Sequence, residues 1–148
     1  MIGNRALLDA RIIGFLASSK ISTPSVIPTL DWAADTSHDA AAVVAGGFQS
    51  KLEKQVFDFL TRGDCGIIYV LNRGMYKQVP ERLKRLIDEG RLLIISVAGD
   101  DSKIPSRRNA RVRNQYIAHI STEMVLASLH PESSLNELLS IGKPIKLM

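Results

Sequence analysis

Five mainly apolar runs divide the chain: Arg11–Ala17 (RIIGFLA), Ala41–Ala45 (AAVVA), Gly66–Leu71 (GIIYVL), Leu92–Val97 (LLIISV) and Met124–Leu129 (MVLASL). None alternates apolar with polar residues, so each predicts a strand covered on both faces, as in a parallel sheet. Between the runs, apolar positions switch to helical spacing. Val26, Leu30, Ala33 and Ala34 predict a helix with Ser25 as N-cap and Pro28 in the first turn, where a missing N–H is harmless. Leu52, Val56, Phe59 and Leu60 mark a second helix, and Leu83, Leu86 and Ile87 a third between Pro80 and Glu89. Val112, Tyr116, Ile117 and Ile120 mark a fourth over Ser106–Ile120. Ser134–Ser140 predicts a short helix stopped by Gly142, and Pro144–Leu147 an edge strand, where proline is tolerated. Met1–Ala10 reads as a lead-in segment with a turn at Gly3-Asn4, and Gly99–Pro105 as a polar loop. Strand and helix alternate throughout. The prediction is one α/β domain over residues 1–148, an open doubly wound, mostly parallel sheet flanked by helices. Such sheets bind ligands beyond the C-terminal strand ends, at the point where strand order reverses.

One stretch, Ala41–Gly63, combines a short buried strand, a Gly46-Gly47 turn and a sharply started helix. Ser50 and Glu53 have the spacing of a capping box, and Gly63 has the position of a C-terminal cap. Glycines that admit a close approach, followed by a helix N-terminus, form a cradle suited to a phosphate. The same pattern also describes a tight turn with no ligand. Glu53 is the carboxylate nearest the cradle. It is a candidate general base, although its capping role accounts for it.

Charge adds direction. The chain has 19 Lys and Arg against 15 Asp and Glu, a net charge of +4, and a pI near 9.4. This mild excess suits a polyanionic or phosphate-bearing partner. Lys103, Arg107, Arg108, Arg111 and Arg113 crowd into one stretch, whereas the basic residues from Arg73 to Arg91 are diluted by Glu81, Asp88 and Glu89. The latter read as a solvated helix face. The lone Cys65 excludes an internal disulfide and fits a cytoplasmic setting. The N-terminal MIGNRALLDAR has no apolar signal-peptide region, and no run reaches membrane-spanning length.

Several chemistries lack their motif. There is no G-x-G-x-x-G after the first strand, no Walker A ending in GGFQSK, and no G-x-S-x-G elbow. His38, His119 and His130 are far apart with no ligand spacing, so no metal site and no cofactor are predicted. What stands out is Arg107–Ser121, RRNARVRNQYIAHIS. Arginine offers a planar fork for phosphate oxygens, and asparagine can bond a backbone or a base edge. The alternative is a solvated basic helix face.

The residues Arg113-Asn114-x-x-Ile117-Ala118-x-Ile120-Ser121 resemble the R-N-x-x-I-A-x-L-S signature of the DNA-processing protein A (DprA/Smf) family. Ala17-Ser18-Ser19-Lys20 occupies the place of that family's Gly-Ser-Arg, and Val43–Ser50 resembles its strand, Ser-Gly turn and helix. The resemblance covers Arg11 to Leu139. It implies a Rossmann-like core of the wider superfamily that includes lonely-guy-type phosphoribohydrolases, single-stranded DNA binding, and a link to recombination. By position it implies a phosphate pocket lined by Ser18, Lys20, Gly46, Gly47, Ser50, Arg113 and Asn114. Three departures are visible. Lys20 stands one position beyond the expected arginine, His130–Ser134 replaces a late Gly-Ser-rich turn, and the phosphoribohydrolases' P-G-G-x-G-T-x-x-E motif is absent. The family's N-terminal helical domain and C-terminal winged helix have no counterpart in these residues, so recombinase loading is not carried over.

The leading expectation is non-catalytic binding of single-stranded DNA. Arg107, Arg108, Arg111 and Arg113 would contact phosphates, the amides of Gly46–Phe48 would hold one more, and Phe48 or Tyr76 would stack a base. A second expectation is a nucleotide or phosphate ligand in the same pocket, sensed or cleaved, with Glu53 as base. A third is self-association as a homo-oligomer through the Pro144–Leu147 edge.

Overall fold

The computed structural model describes residues 1–98 and 106–148. The predicted Gly99–Pro105 loop and Lys103 therefore lie outside the described residues. The strands are β1 (Ile2–Gly3), β2 (Ile12–Ala17), β3 (Val43–Gly46), β4 (Gly66–Leu71), β5 (Leu92–Ser96), β6 (Glu123–Ala127) and β7 (Ile145–Leu147). The helices are α1 (Thr23–Ser37), α2 (Lys51–Arg62), α3 (Glu81–Asp88) and α4 (Arg107–Ile120), with 3-10 helices at Arg5–Asp9 and Ser134–Ser140.

The strands form one sheet in the order β1-β5-β4-β3-β2-β6-β7. Every pairing is parallel except β1 with β5, where Ile2 faces Ile94. The unbroken apolar runs follow from burial on both faces. Phe15, Val44, Ile67 and Ile94 point to the layer that contains Leu52, Val56, Leu60, Leu83 and Leu86 of α2 and α3 and Ala33 of α1. Leu16, Val43, Ile68 and Leu93 point to the opposite layer, with Ile117 and Ala118 of α4 and Leu135 and Leu138 of the second 3-10 helix. The chain winds from β2 outward to β5, then crosses over α4 to β6 on the other side of β2. The switch point thus lies between the C-terminal ends of β2 and β6. Among the described residues, no helix is long and apolar enough to cross a membrane.

Several local expectations need correction. The lead-in is structured: β1 is an edge strand, and the 3-10 helix after it is capped by Asn4. Helix α1 starts earlier than predicted, from Ser22, with Pro24 in its first turn and Pro28 inside it. Ser25 faces inward instead of capping, and its hydroxyl meets the Ser22 carbonyl at 2.8 Å and Ser128 Oγ at 2.5 Å. In α2 the buried aromatic is Phe57, and Phe59 is half-buried. On α4, Val112 is 43% exposed, while Arg113 is buried in its place. Gly63 ends α2 with φ −100°, so its need for glycine is steric: a Cβ there would lie 2.1 Å from the Ser37 carbonyl oxygen. Arg91 is not a solvated-face residue. It donates to the carbonyls of Leu60, Thr61 and Cys65 and closes the C-terminal end of α2.

Candidate nucleic-acid interface

The turn from β3 into α2 is held by Glu53. The capping box is complete, with Ser50 Oγ accepting from the Glu53 amide and Glu53 Oε1 accepting from the Ser50 amide at 3.0 Å. The carboxylate does more than cap. Oε1 also accepts from the Gln49 amide at 3.0 Å, and Oε2 accepts from the Ala17 amide at 2.9 Å. Glu53 is 3% exposed and joins the end of β2 to the start of α2. Its carboxylate thus engages the amides of Gln49 and Ser50 at the start of α2 and that of Ala17 at the end of β2.

Arg113 forms the second buried node, 6% exposed. Its Nη1 donates to Gln49 Oε1 at 2.7 Å, while Nε and Nη2 donate to Asn114 Oδ1 at 3.2 and 3.1 Å. Gln49 Oε1 also accepts from Asn72 Nδ2 at 3.0 Å, so one oxygen ties α4 to the ends of β3 and β4. The guanidinium lies over Gly47, where a Cβ would come within 2.6 Å of its Cζ. This close approach explains the second glycine of the turn. Burial pushes the Arg113 guanidinium below its ordinary range, and the charge of Glu53 opposes that shift.

Outside these nodes a cleft of about 750 Å³ opens at the switch point. One wall is α4, with Arg107, Arg111, Arg113 and Asn114. The floor is Ser18, Ser19, Gln49 and Ser50. The opposite wall is the segment after β6, with His130, Glu132, Ser133 and Glu137. Ser18 Oγ meets Ser133 Oγ at 2.7 Å across the floor. Arg107, Arg108 and Arg111 are exposed, and the first turn of α4 carries no acid. Cations at a helix N-terminus oppose the helix dipole, so this placement does not serve helix stability. It serves an anion.

Of the residues singled out from the sequence, the cleft gathers Ser18, Ser50, Glu53, Arg107, Arg111, Arg113 and Asn114. Lys20 and Arg108 are exposed but are not among the lining residues. Gly46 and Gly47 lie beneath, covered by the Phe48 ring and the Arg113 guanidinium. Phe48 takes φ +47° and is 3% exposed, packed against Phe57 and Tyr69 at centroid distances of 4.9 and 5.8 Å. Its ring belongs to the core and offers no face to a base. Tyr76 stays half-buried, with the Arg73 guanidinium 4.5 Å from its ring centre. Sequence reading assigned no individual role to Gln49, Asn72, Ser133 or Glu137. Gln49 next to the capping box was the most legible of these. The others become neighbours only through the sheet topology. Among the described residues no cluster of His, Cys, Asp or Glu has the makings of a metal site.

A doubly wound α/β sheet with a cleft at its switch point defines the class. The sequence matches no protein-family model and no curated protein. Solved structures do match. DNA processing protein A (DprA) from Streptococcus pneumoniae superposes with a TM-score of 0.76 at 18% identity, over 98% of this chain and 52% of that one. The Helicobacter pylori DprA, whose structure describes a single-stranded DNA binding mode, superposes with a TM-score of 0.77 at 17% identity, over 99% of this chain and 69% of that one. The chain has a DprA-like fold and spans about half the length of the pneumococcal protein.

Proposed function

We propose that this chain binds single-stranded DNA at the switch-point cleft, through phosphate contacts from Arg107, Arg108 and Arg111 on the first turns of α4. The observation that carries the reading is the placement of these exposed arginines on the first turns of α4, with no acid in the first turn and with Arg107 and Arg111 lining the cleft. The single-stranded DNA binding mode of the Helicobacter pylori protein of like fold supports it. The role is binding rather than catalysis, because both oxygens of Glu53 are engaged by backbone amides. Arg113 and Asn114 hold the wall in place, and Arg107, Arg108 and Arg111 meet the ligand. The free, buried Cys65 is in keeping with a reducing, cytoplasmic setting.

Fluorescence anisotropy of a labelled oligo-dT across a salt series tests this. Binding should weaken with a log–log slope of about −0.7 per phosphate contacted. The R107E/R108E variant should fold normally, lose most affinity and flatten the slope by about 1.4. Unchanged binding in that variant would end the proposal.

A second reading rests on the size of the cleft. About 750 Å³ lies in the range of small-ligand pockets, so a nucleoside monophosphate is the alternative occupant. Thermal shift with nucleoside monophosphates separates the two: stabilisation by a monophosphate with no strand binding would favour the small ligand.

A further inference from the structure

Among the described residues, Arg111 is the cleft arginine that directly meets a carboxylate. Its Nε donates to Glu137 Oε1 at 3.2 Å, and its Nη2 lies 3.1 Å from Glu137 Oε2, a two-pronged pair across the mouth of the cleft. Glu137 is not on a loose tail. Its 3-10 helix is sunk into the core through Leu135 and Leu138, at 5% and 3% exposure. The turn before it is fixed by Asn136 Nδ2 donating to the His130 carbonyl at 2.9 Å, and by the Ser18–Ser133 contact. The fold therefore presents a carboxylate to the arginine that faces the ligand.

We propose that Glu137 is a built-in competitor for Arg111, an internal anion that an incoming phosphate must displace. This rests on the strand-binding reading above and names the regulation of that site. The consequence is specific. An arginine that neutralises a phosphate releases cations condensed on the strand. When phosphate replaces Glu137, the freed carboxylate stays beside the strand, and its charge offsets that of Arg111 and retains cations there. The pair then adds almost no net positive charge at the strand, so Arg111 contributes affinity in the wild type without its share of the salt slope. Arg107 and Arg108 carry their full share.

The test is a cycle of wild type, E137Q, R111Q and R111Q/E137Q, each measured by oligo-dT anisotropy over a salt series. E137Q should bind about three- to five-fold tighter, as expected for release of an exposed ion pair. Its salt slope should steepen by about 0.7, the contribution of one phosphate on a single strand. In the R111Q background the same change should leave the slope where it was. If E137Q tightens binding equally with and without Arg111, and with no change of slope, Glu137 acts by general repulsion and the latch is wrong. Unaltered binding in E137Q also overturns it. If no member of the cycle binds a strand, the strand-binding reading itself fails and the latch falls with it. Melting temperatures should be nearly equal for wild type and E137Q, since the pair is solvent-exposed at 64% and 35%.

Discussion

Replacing Glu53 by glutamine removes one negative charge and turns one oxygen into a donor. The native carboxylate accepts from three amides on two segments: Ala17 at one oxygen, and Gln49 and Ser50 at the other. A glutamine can serve only one of those sides. If its oxygen faces Gln49 and Ser50, its amino group meets the Ala17 N–H, donor against donor. If it flips, two donors lose their acceptor. A hydrogen bond to a charged group contributes about 1.5–3 kcal/mol, and a stranded buried donor costs about 1–3 kcal/mol. Arg113 also loses a nearby negative charge that favours its protonated form. The sum for E53Q is a loss of about 3–5 kcal/mol, once overlap between these effects is allowed for. For a domain of this size each kcal/mol moves the melting temperature by about 2–4 °C. Differential scanning calorimetry should therefore show a drop of about 6–20 °C. A Tm within about 2 °C of wild type would refute the claim that Glu53 is the node joining β2 to α2. Such a result would restore it as a free carboxylate available for chemistry.

Other outcomes follow from the same contacts. Gln49→Leu should cost about 1–3 kcal/mol in urea unfolding, because Arg113 and Asn72 both lose their shared acceptor. Phe48→Ala should destabilise by about 3–5 kcal/mol, as loss of a buried aromatic does, and a folded F48A that merely loses DNA affinity would contradict the core assignment of its ring. Gly47→Ala should displace the Arg113 guanidinium and weaken its bond to Gln49, which a crystal structure of the variant would show directly. Burial, reinforced by the neighbouring Tyr76, pushes the Tyr69 phenol up to about 12. The folded state thus holds that proton more tightly than the unfolded chain. Its stabilising contribution is full below the unfolded value and falls as pH rises towards 12, and tyrosinate absorbance should show a late-titrating step in the native protein.

The sheet was largely legible because its strands are buried on both faces and so read as unbroken apolar runs. Leu92 to Ser96 announces itself without reference to any partner. The Ser50–Glu53 box was legible for the same reason, since its bonds are local. What escaped was long-range. Ile2 and Gly3 form a strand only because β5 offers an open edge to them. Ser25 has the residue type of a cap, but Ser128 across the sheet edge draws it inward and leaves the capping position to Ser22. The Arg-Asn pair was found by its pattern, yet its first member is buried: the Gly47 turn and Gln49 give the guanidinium a polar berth that spacing cannot reveal. Phe48 follows the glycine turn and was a candidate to stack a base. Its left-handed backbone turns the ring under the sheet end toward Phe57 and Tyr69. The wall after β6 was read as a departure from a familiar turn at His130–Ser134 followed by a short helix at Ser134–Ser140, and its place opposite α4 was hidden because it depends on β6 lying beside β2.

The most direct test of the central claim is a two-dimensional amide NMR titration of the protein with a short oligo-dT. The account predicts shifts concentrated on Ser18 and Ser19, Gln49 and Ser50, the first turns of α4 from Arg107 to Asn114, and the Ser133–Glu137 wall. Saturating shifts elsewhere, with these amides unmoved, would contradict a strand-binding site at the switch point.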